Sequence, residues 1–440
     1  MSHATTSQGL PMQAASRQTM KYTPIDLGRY LLWGVTALIM LVLPLIFKSS
    51  FALTLMSQMG TMIIFALAYN MLLGQSGMLS FGHAIYSGMG AIFTVHLLNM
   101  IGKGQVFVPL PLMPLVGGIA GAGFGLIFGY VTTKKAGTPF AMITLGLGEM
   151  VYAASLMFPD FFGGEGGVTT DRSAHQNFLG LTFGPQSQVY YLIAVWCFIS
   201  MIAMYALTQT PLGRIANAVR DNPERAEFVG YNTQRVRWFT LILSAFFAGV
   251  GGALNGINFE IVSAENVSAV RSGGMLLATV IGGAGFFFGP ILGACLFMFF
   301  VVALSDYSKA WLLYLGLFFT LMILFAPGGL ASLILMQLPA IAKRQFRRLV
   351  KPYLKTGGAA LILMAALILT VEMTYKLVGD SADGAAMTLL GIPLDVANVT
   401  PWVVAGVLWI VGGVLFQITR MELLKVWNAV QQDIHTEGGA

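Results

Sequence analysis

Long apolar runs separated by short polar segments dominate the pattern of hydrophobic and polar positions in this chain. Each run covers about 20 residues, the length that an α-helix needs to cross a bilayer, whereas transmembrane β-strands alternate over about ten residues. The pattern therefore predicts an all-α polytopic membrane protein with about 10–12 transmembrane helices. Residues 272–305 fit either two spans or one broken span plus a complete one. The candidate spans are 30–47, 51–73, 82–101, 108–131, 138–158, 189–209, 238–258, 272–287, 289–305, 311–333, 357–378 and 400–418.

The composition supports this class and excludes an ordinary soluble globular protein. Of the 440 residues, 56% are hydrophobic and only 10% are charged, and the mean hydropathy is +0.77. Soluble domains carry about 25% charged residues. The 52 glycines suit close approach between neighbouring transmembrane helices. Cys197 and Cys295 lie inside apolar runs without paired spacing, so we expect neither a disulfide nor a metal site from them.

Positive charge is distributed unevenly between the two ends of the predicted spans. Assigning successive loops to alternate sides places 18 of the 24 Lys and Arg residues on one side, together with both termini and the segment 210–237. Under the positive-inside rule, this side is cytoplasmic. The first apolar run lacks a small-residue cleavage pattern, so we interpret it as a retained anchor.

The densest polar interruption, residues 210–237, has the pattern of a short capped helix. Asn222 suits the N-cap, Pro223 suits the first helical position, and Glu224 suits the positive end of the helix dipole. Gly230 suits a left-handed exit from the helix. We expect such a polar helical knob on a membrane protein to contact another protein.

Two uncharged glycine-rich segments, 69–90 and 273–293, interrupt the apolar pattern in opposite halves of the chain. Irregular backbone at membrane depth is tolerated where it lines a cavity or is buried in protein. The segments therefore fit either a wall of a translocation path or tight helical hairpins. Their polar side chains, which are candidates for the path, include Asn70, Gln75, Ser80, His83 and Thr279.

No catalytic constellation is visible, and we expect no enzymatic activity, cofactor or metal site in this chain. The histidines lack a second ligand at helical spacing, and no phosphate-binding loop is present. Energy for transport must then come from another subunit or from an ion gradient. Glu149, the single carboxylate embedded in an apolar run, is a candidate for the path, for an ion site, or for a buried group that fixes helix packing.

Several segments, in collinear order, resemble one known family. They are NMLLGQSGMLSFGHAIYSGMGA at 70–91, FAMITLGLGEM at 140–150, GGEGGV at 163–168, PLGRIANAVRDNPERAEFVG at 211–230, SAFFAGVGGAL at 244–254, VIGGAGFFFGPILGA at 280–294 and APGGL at 326–330. Together they resemble the LivM-type permease of branched-chain amino acid ABC importers. The resemblance covers residues 30–335 and implies the ABC importer permease fold.

The resemblance implies an ATP-driven importer of branched-chain or related amino acids in a bacterial inner membrane, with both termini of this chain in the cytoplasm. The implied partners are two ATP-binding subunits, which hydrolyse the ATP, a second related permease subunit, and a periplasmic substrate-binding protein. Lipid is a further partner, and nucleic acid is not. Relatives of the family also move urea, short amides or aromatic acids. A stand-alone ion-coupled secondary transporter is the other alternative.

Within the polar loop, Glu224-Arg225-Ala226 followed by Gly230 is similar to the E-A-A-x-x-x-G coupling motif of ABC permeases, although the distal I-x-L-P part is missing. The resemblance implies that this loop contacts the ATPase. The coupling residues that follow from it are Arg214, Arg220, Glu224, Arg225, Ala226 and Gly230. The residues on family-typical polar positions of the path are Asn70, Ser80, His83 and Glu149.

The chain continues beyond the part that resembles the family. The predicted domains are a cytoplasmic tail at 1–29, a permease core at 30–335, a basic cytoplasmic link at 336–356, an additional transmembrane hairpin at 357–418 and a cytoplasmic tail at 419–440. The basic link is expected to contact anionic lipid. The sequence indicates no function for the hairpin.

Overall fold

Helices make up nearly all of the part of the chain that the structure describes. The computed structural model describes residues 27–173, 180–343, 345–379, 386–389 and 392–438, so most of the predicted tail at 1–29 lies outside the described residues. The helices are α1 (Leu27–Ile46), α2 (Ser50–Ser76), α3 (Ala84–Gly102), α4 (Met113–Thr132), α5 (Thr138–Met157), α6 (Pro159–Phe162), α7 (Gln186–Gln209), α8 (Pro211–Asp221), α9 (Pro223–Phe228), α10 (Thr233–Phe259), α11 (Ala269–Gly282), α12 (Gly289–Met298), α13 (Trp311–Phe325), α14 (Gly329–Leu335), α15 (Leu338–Ala342), α16 (Phe346–Gly379) and α17 (Val399–Gly438). Two antiparallel strand pairs complete the fold: β1 (Val168–Thr169) with β2 (Ile261–Val262), and β3 (Ala386–Leu389) with β4 (Ile392–Asp395).

Within these ranges, eight helices are long and apolar enough to cross a membrane. A ninth candidate is α13 together with α14 and α15, which are bent from it by 51°. Three shorter apolar stretches lie in α1, in α11, and in α12 with the π-helical turn Phe299–Leu304 that continues it. Each predicted span thus corresponds to a helical segment, and the all-α polytopic fold is confirmed.

The most enclosed of these candidate spans is α10. It packs against α2, α3 and α4, and 83% of its membrane-length window is buried inside the chain. Glycines allow this packing, because a side chain at Gly252 would collide with the Ser87 carbonyl of α3, and one at Gly249 would collide with Gly117 of α4. Helices in lipid gain little from hydrophobic burial, so close backbone contact of this kind supplies much of the packing energy.

The last two helices, α16 and α17, form an antiparallel hairpin of their own. Lys355 pairs with Glu422 at 2.8 Å, and Arg348 pairs with Asp433 at 2.9 Å. Two apolar clusters hold the hairpin near its ends, one around Leu369, Met373, Val396 and Ala405, and the other around Ala340, Leu349 and Val430. The two helices therefore stabilise each other mainly through their own contacts.

The hairpin helices are longer than the spans 357–378 and 400–418 that the apolar pattern predicts. They also include residues 346–356 and 419–438, which the sequence assigns to a link and a tail. At 1.5 Å per residue, α16 is about 51 Å long and α17 about 60 Å long, compared with a hydrocarbon core of about 30 Å. Their charged ends therefore extend beyond the apolar layer, where side-chain packing and ion pairs keep them helical.

Hydrogen bonds attach the hairpin to the rest of its unit at two levels. The Glu372 carboxylate of α16 accepts from the Ser308 hydroxyl at 2.5 Å and from the Tyr314 hydroxyl at 2.9 Å. Nearer the start of α16, the Gln337 side-chain amide donates to the Tyr353 hydroxyl at 2.8 Å. The hairpin is thus tied to the chain that precedes it by a few polar contacts rather than by broad packing.

Candidate functional site

The first glycine-rich segment contains a break in the helical backbone between α2 and α3. α2 ends where Gly77 adopts a left-handed conformation with φ 68°, and the Gly77 N–H donates to the Leu73 carbonyl at 3.1 Å. Residues 77–83 have no helical structure before α3 begins. We call residues 77–83 the first break.

Side chains from other helices satisfy the backbone of the first break. Ser272 of α11 accepts from the Ala84 N–H at 2.9 Å, and Thr144 of α5 accepts from the Phe81 N–H at 3.2 Å. A side chain at Gly82 would collide with the Thr144 carbonyl, so α5 lies directly against the break. Non-helical backbone at this depth is therefore buried in protein, as the absence of water in a bilayer requires.

Three of the predicted path residues, Asn70, Ser80 and His83, lie around the first break and are almost wholly buried. The Tyr69 hydroxyl donates to the Ser80 carbonyl at 2.8 Å, and the His83 ring stands edge-on to Tyr69 and Tyr86, with centroids 5.2 and 5.6 Å away. Among the described residues, nothing hydrogen-bonds Asn70 Oδ1, Ser80 Oγ or either His83 ring nitrogen. Buried polar atoms without partners are rare and costly, so these residues are the strongest candidates for contact with water or substrate.

The second glycine-rich segment is also broken, between α11 and α12. Gly283 has φ 108°, and a side chain there would collide with the Gly328 carbonyl at the bend between α13 and α14. Thr279 is fully buried in α11, and its hydroxyl lies 3.1 Å from the Ala66 carbonyl of α2 and 2.8 Å from the Met275 carbonyl of α11. The Thr279 hydroxyl therefore fixes the packing of α11 on α2 in this structure.

The polar loop 210–237 folds into two consecutive helices, α8 and α9. Asn222 caps α9 by accepting from the Arg225 N–H at 2.9 Å, and Gly230 follows the helix with φ 97°, so the predicted cap and left-handed exit are confirmed. Ala226 is buried in a small cluster whose other members are Ala216, Val219 and Val236. Within the E-A-A-x-x-x-G-like motif, Ala226 and Gly230 thus hold the shape of the loop.

The outer side of this loop presents apolar residues that the sequence reading missed. Phe228 is 90% exposed and Val229 is 71% exposed, beside the exposed side chains of Glu224 and Arg225. In the sequence they look like ordinary apolar positions of a short amphipathic helix. Only the packing of Ala226 beneath them shows that Phe228 and Val229 point away from the protein.

The inner side of the loop contacts the end of α2. The Asn217 side-chain amide donates to the Gln75 side-chain oxygen at 2.9 Å, and the Arg220 guanidinium donates to the Gly74 carbonyl. Two predicted residues, Gln75 and Arg220, therefore act between the polar loop and the permease core. Asn217 had no signal in the sequence, because its partner is 142 positions away.

The remaining predicted path residue, Glu149, lies apart from the buried polar group. It is exposed on α5, on the same side as Met142, which is 63% exposed, and Met150, which is 52% exposed. Gly146, one turn away, has open space where a side chain would be. The structure therefore brings Asn70, Ser80 and His83 together but not Glu149, and it does not bury Glu149 against a neighbouring helix of this chain.

The fold and these sites agree with comparisons with known proteins. Residues 51–327 match the family described as the permease component of branched-chain amino acid transport systems. The chain belongs to this family. It is a multi-pass membrane protein, and the family consists of transport permeases rather than enzymes. Among the described residues, no three His, Cys, Asp or Glu side chains come together to hold a metal ion.

Individual relatives agree with the family match. The high-affinity branched-chain amino acid transport system permease protein LivM of Escherichia coli is 28% identical over 289 residues, which cover 61% of this chain and 67% of that protein. LivM of Salmonella typhimurium is 29% identical with the same coverage. The guanosine ABC transporter permease protein NupQ of Bacillus subtilis is 26% identical over 41% of this chain and 47% of its own length. No solved structure matches the chain.

Proposed function

We propose that this chain is the transmembrane permease subunit of an ATP-driven importer for branched-chain or related amino acids in a bacterial inner membrane. Membership of the permease family supports the transport role, and the names of the two LivM relatives support the substrate class. The guanosine permease NupQ is a reminder that related permeases carry other solutes. Urea, short amides and aromatic acids are therefore included as competing substrates in the test below.

The observation that carries the proposal is the preorganised polar loop. Its caps and its buried Ala226 hold a fixed shape, while Phe228 and Val229 are exposed to water. Large, exposed apolar side chains on a rigid support are typical of interaction hot spots. We propose that this surface binds an ATP-binding subunit, with Arg214, Glu224 and Arg225 at its edge. An importer with two such subunits, one for each permease, is the expected assembly.

The exposed position of Glu149 supports a second, related permease subunit as a partner. A carboxylate that faces hydrocarbon in the middle of a span costs several kcal/mol, whereas a carboxylate at an aqueous path between two subunits does not. Gly146 on the same side of α5 leaves room for close approach by another helix. Glu149 would then line the path from the side, and Asn70, Ser80 and His83 would border it from inside this chain.

Transport by the reconstituted assembly tests the function. We would purify the chain from its native membrane with its bound subunits, place the complex in proteoliposomes with the co-encoded periplasmic binding protein, and measure uptake of radiolabelled leucine. The expected result is uptake that requires ATP and the binding protein and that excess isoleucine or valine abolishes. Uptake by this chain alone under a proton gradient would contradict it and favour an ion-coupled transporter. Competition by urea, acetamide or benzoate, and not by valine, would move the substrate to one of those classes.

A change at the loop tests the ATPase contact separately. Gly230→Arg places a side chain at φ 97° and bulk beside Phe228, and we expect it to abolish association with the ATP-binding subunit while membrane insertion remains. Charge reversal at both Glu224 and Arg225 should weaken the same association. Substituting Tyr307, which is 88% exposed outside this loop, with Ser is the matched control. Wild-type recovery of the ATP-binding subunit with Gly230→Arg would disprove the contact.

A further inference from the structure

The contact between α8 and the end of α2 has a geometry that suits transmission of force. Arg220 donates to the Gly74 carbonyl, Asn217 donates to Gln75 at 2.9 Å, and Asp221 accepts from the Arg220 Nε at 2.9 Å. Two hydrogen bonds from residues one helical turn apart fix both the position and the direction of α8 relative to α2. We call these two bonds, Asn217 to Gln75 and Arg220 to Gly74, the latch.

The chemistry of the latch suits the end of a helix. The last turn of α2 carries backbone carbonyls without helical partners and the negative end of the helix dipole, and a guanidinium answers both. The stem of Arg220 also packs across Gly77, because a side chain at Gly77 would come within 2.8 Å of the Arg220 Cγ. Since Gly77 begins the first break, α8 grips α2 at the point where its helix ends.

The same turn of α2 also contacts the second break. A side chain at Gly74 would collide with the carbonyl of Ala284, which follows α11, and with the Asn70 side chain. Gly283 beside it lies against Gly328 at the bend after α13. A displacement of the last turn of α2 would therefore reach the unpartnered Asn70 and both glycine-rich breaks at once.

The surroundings of the latch leave room for such a displacement. A crevice of about 300 Å³ lies where α2, α7, α8 and α10 meet, and Gln75 of the latch forms part of its wall. Its other lining residues are mostly apolar, from Met71 on α2 to Leu243 on α10. Close packing normally opposes the movement of one helix against another, and here the packing is incomplete on one side of α8.

We propose that Arg220 and Asn217 are positioning residues that transmit movement of the polar loop to α2 and to the two breaks, and that neither is a contact for the ATPase. The inference rests on the proposed function. It divides the predicted coupling residues into two sets: the outer side of the loop around Phe228 holds the ATP-binding subunit, and the latch on the inner side carries the movement into the permease.

The test measures leucine transported per ATP hydrolysed by the purified complex in proteoliposomes. Arg220→Met keeps the aliphatic stem over Gly77 but removes every donor. Loss of one charge-assisted hydrogen bond should lower the transport-to-hydrolysis ratio roughly tenfold, while recovery of the ATP-binding subunit and the rate of ATP hydrolysis remain unchanged. Arg220→Lys, which retains one donor, should restore part of the ratio. Arg235→Met, an exposed arginine on the neighbouring helix α10, is the control and should leave the ratio at the wild-type value.

Two results would overturn the inference. One is a wild-type ratio with Arg220→Met, and the other is loss of the ATP-binding subunit from that variant, which would make Arg220 a contact residue. A disulfide between Gln75→Cys and Asn217→Cys, in a chain whose own two cysteines are replaced by Ala, tests the latch without deleting it. Transport should survive this cross-link, because the latch moves as one body, and abolished transport would contradict the inference. Failure of the proposed function would be distinct, since wild-type complexes would then lack ATP-dependent uptake.

Discussion

The centre of the permease core and the C-terminal hairpin use the same kinds of residue for different purposes. α10 is buried over 83% of its membrane-length window, whereas α16 is buried over 11%. A side chain at Gly252 of α10 would collide with the Ser87 carbonyl, but none of the surrounding atoms lies within 4 Å of the position that a side chain would take at Gly413 of α17. The comparison teaches that glycine content alone does not identify close helix packing. The partner helix decides whether a glycine is required.

Polar groups differ between the two regions in the same way. In the core, the His83 ring nitrogens and Asn70 Oδ1 are buried without partners, although the surrounding helices are closely packed. In the hairpin, the Glu372 and Glu422 carboxylates each have a hydrogen-bonding partner. The core thus retains polar groups that destabilise a static structure, which is expected of a site that operates on a passing solute.

Substitution of matched glycines should separate the two regions most strongly. Gly252→Val inserts a branched side chain against the Ser87 carbonyl of α3, and we expect a loss of more than about 4 kcal/mol or no folded protein. Gly413→Val, which faces open space, should stay within about 1 kcal/mol of the wild type. Thermal unfolding of the detergent-purified proteins, followed by size-exclusion chromatography, measures both. Equal melting of the two variants would contradict the comparison.

Removal of Glu372 tests how the hairpin is held. Glu372→Ala leaves the hydroxyls of Ser308 and Tyr314 without their acceptor, and we expect a loss of about 2–3 kcal/mol, confined to the hairpin. Glu372→Gln keeps a neutral acceptor and should lose about half as much. Hydrogen exchange in α16 measures the effect. Unchanged exchange in α16 would mean that the hairpin is held by apolar packing alone.

Replacement of His83 tests whether the partnerless polar group serves function rather than folding. His83→Phe removes two unsatisfied ring nitrogens and keeps the edge-on contacts with Tyr69 and Tyr86, so the protein should become more stable by about 1–2 kcal/mol. Leucine uptake should fall in the same variant. Tyr69→Phe, which deletes only the hydrogen bond to the Ser80 carbonyl, is the control and should lose about 1 kcal/mol. If His83→Phe transported normally, His83 would have no place in the path.

The exposed ion pairs of the hairpin should have the smallest effect. Lys355→Met breaks the pair with Glu422, and both side chains are about half exposed. Such pairs contribute about 0–1 kcal/mol because water and salt screen them. The unfolding temperature should therefore change little, and less at high salt than at low salt. A larger loss would show that the charged end of the hairpin is as tightly constrained as the core.

The course of the backbone could be predicted to a large extent from the sequence. Each predicted span has a helical counterpart, because the length of an apolar run depends only on local composition and on the thickness of the bilayer. The cap at Asn222 and the left-handed Gly230 were predictable for the same reason, since a cap involves residues within one turn. The helical parts of the predicted link 336–356 and tail 419–440 were missed, because the contacts of Leu349 and Val430 join positions far apart in the chain.

The candidate site was predictable only in part. Polar residues among glycines indicated Asn70, Ser80 and His83, and the structure groups them around the first break. Local pattern could not distinguish an arginine that faces a partner from one that faces the protein, as the exposed Arg225 and the latched Arg220 illustrate. It also suggested a buried position for Glu149, which is exposed on the surface of this chain.

By itself, the sequence determined the membrane class, the helical segments, the capped loop and the family resemblance, because hydrophobic length, charge and caps act over one or two turns of chain. The tertiary structure alone decided which glycines are contact points, which polar atoms lack partners, and that Arg220 joins the loop to Gly74. These properties depend on neighbours that are up to about two hundred residues away in the chain. Such distances carry no signal in a single sequence, because only the folded chain brings those residues together.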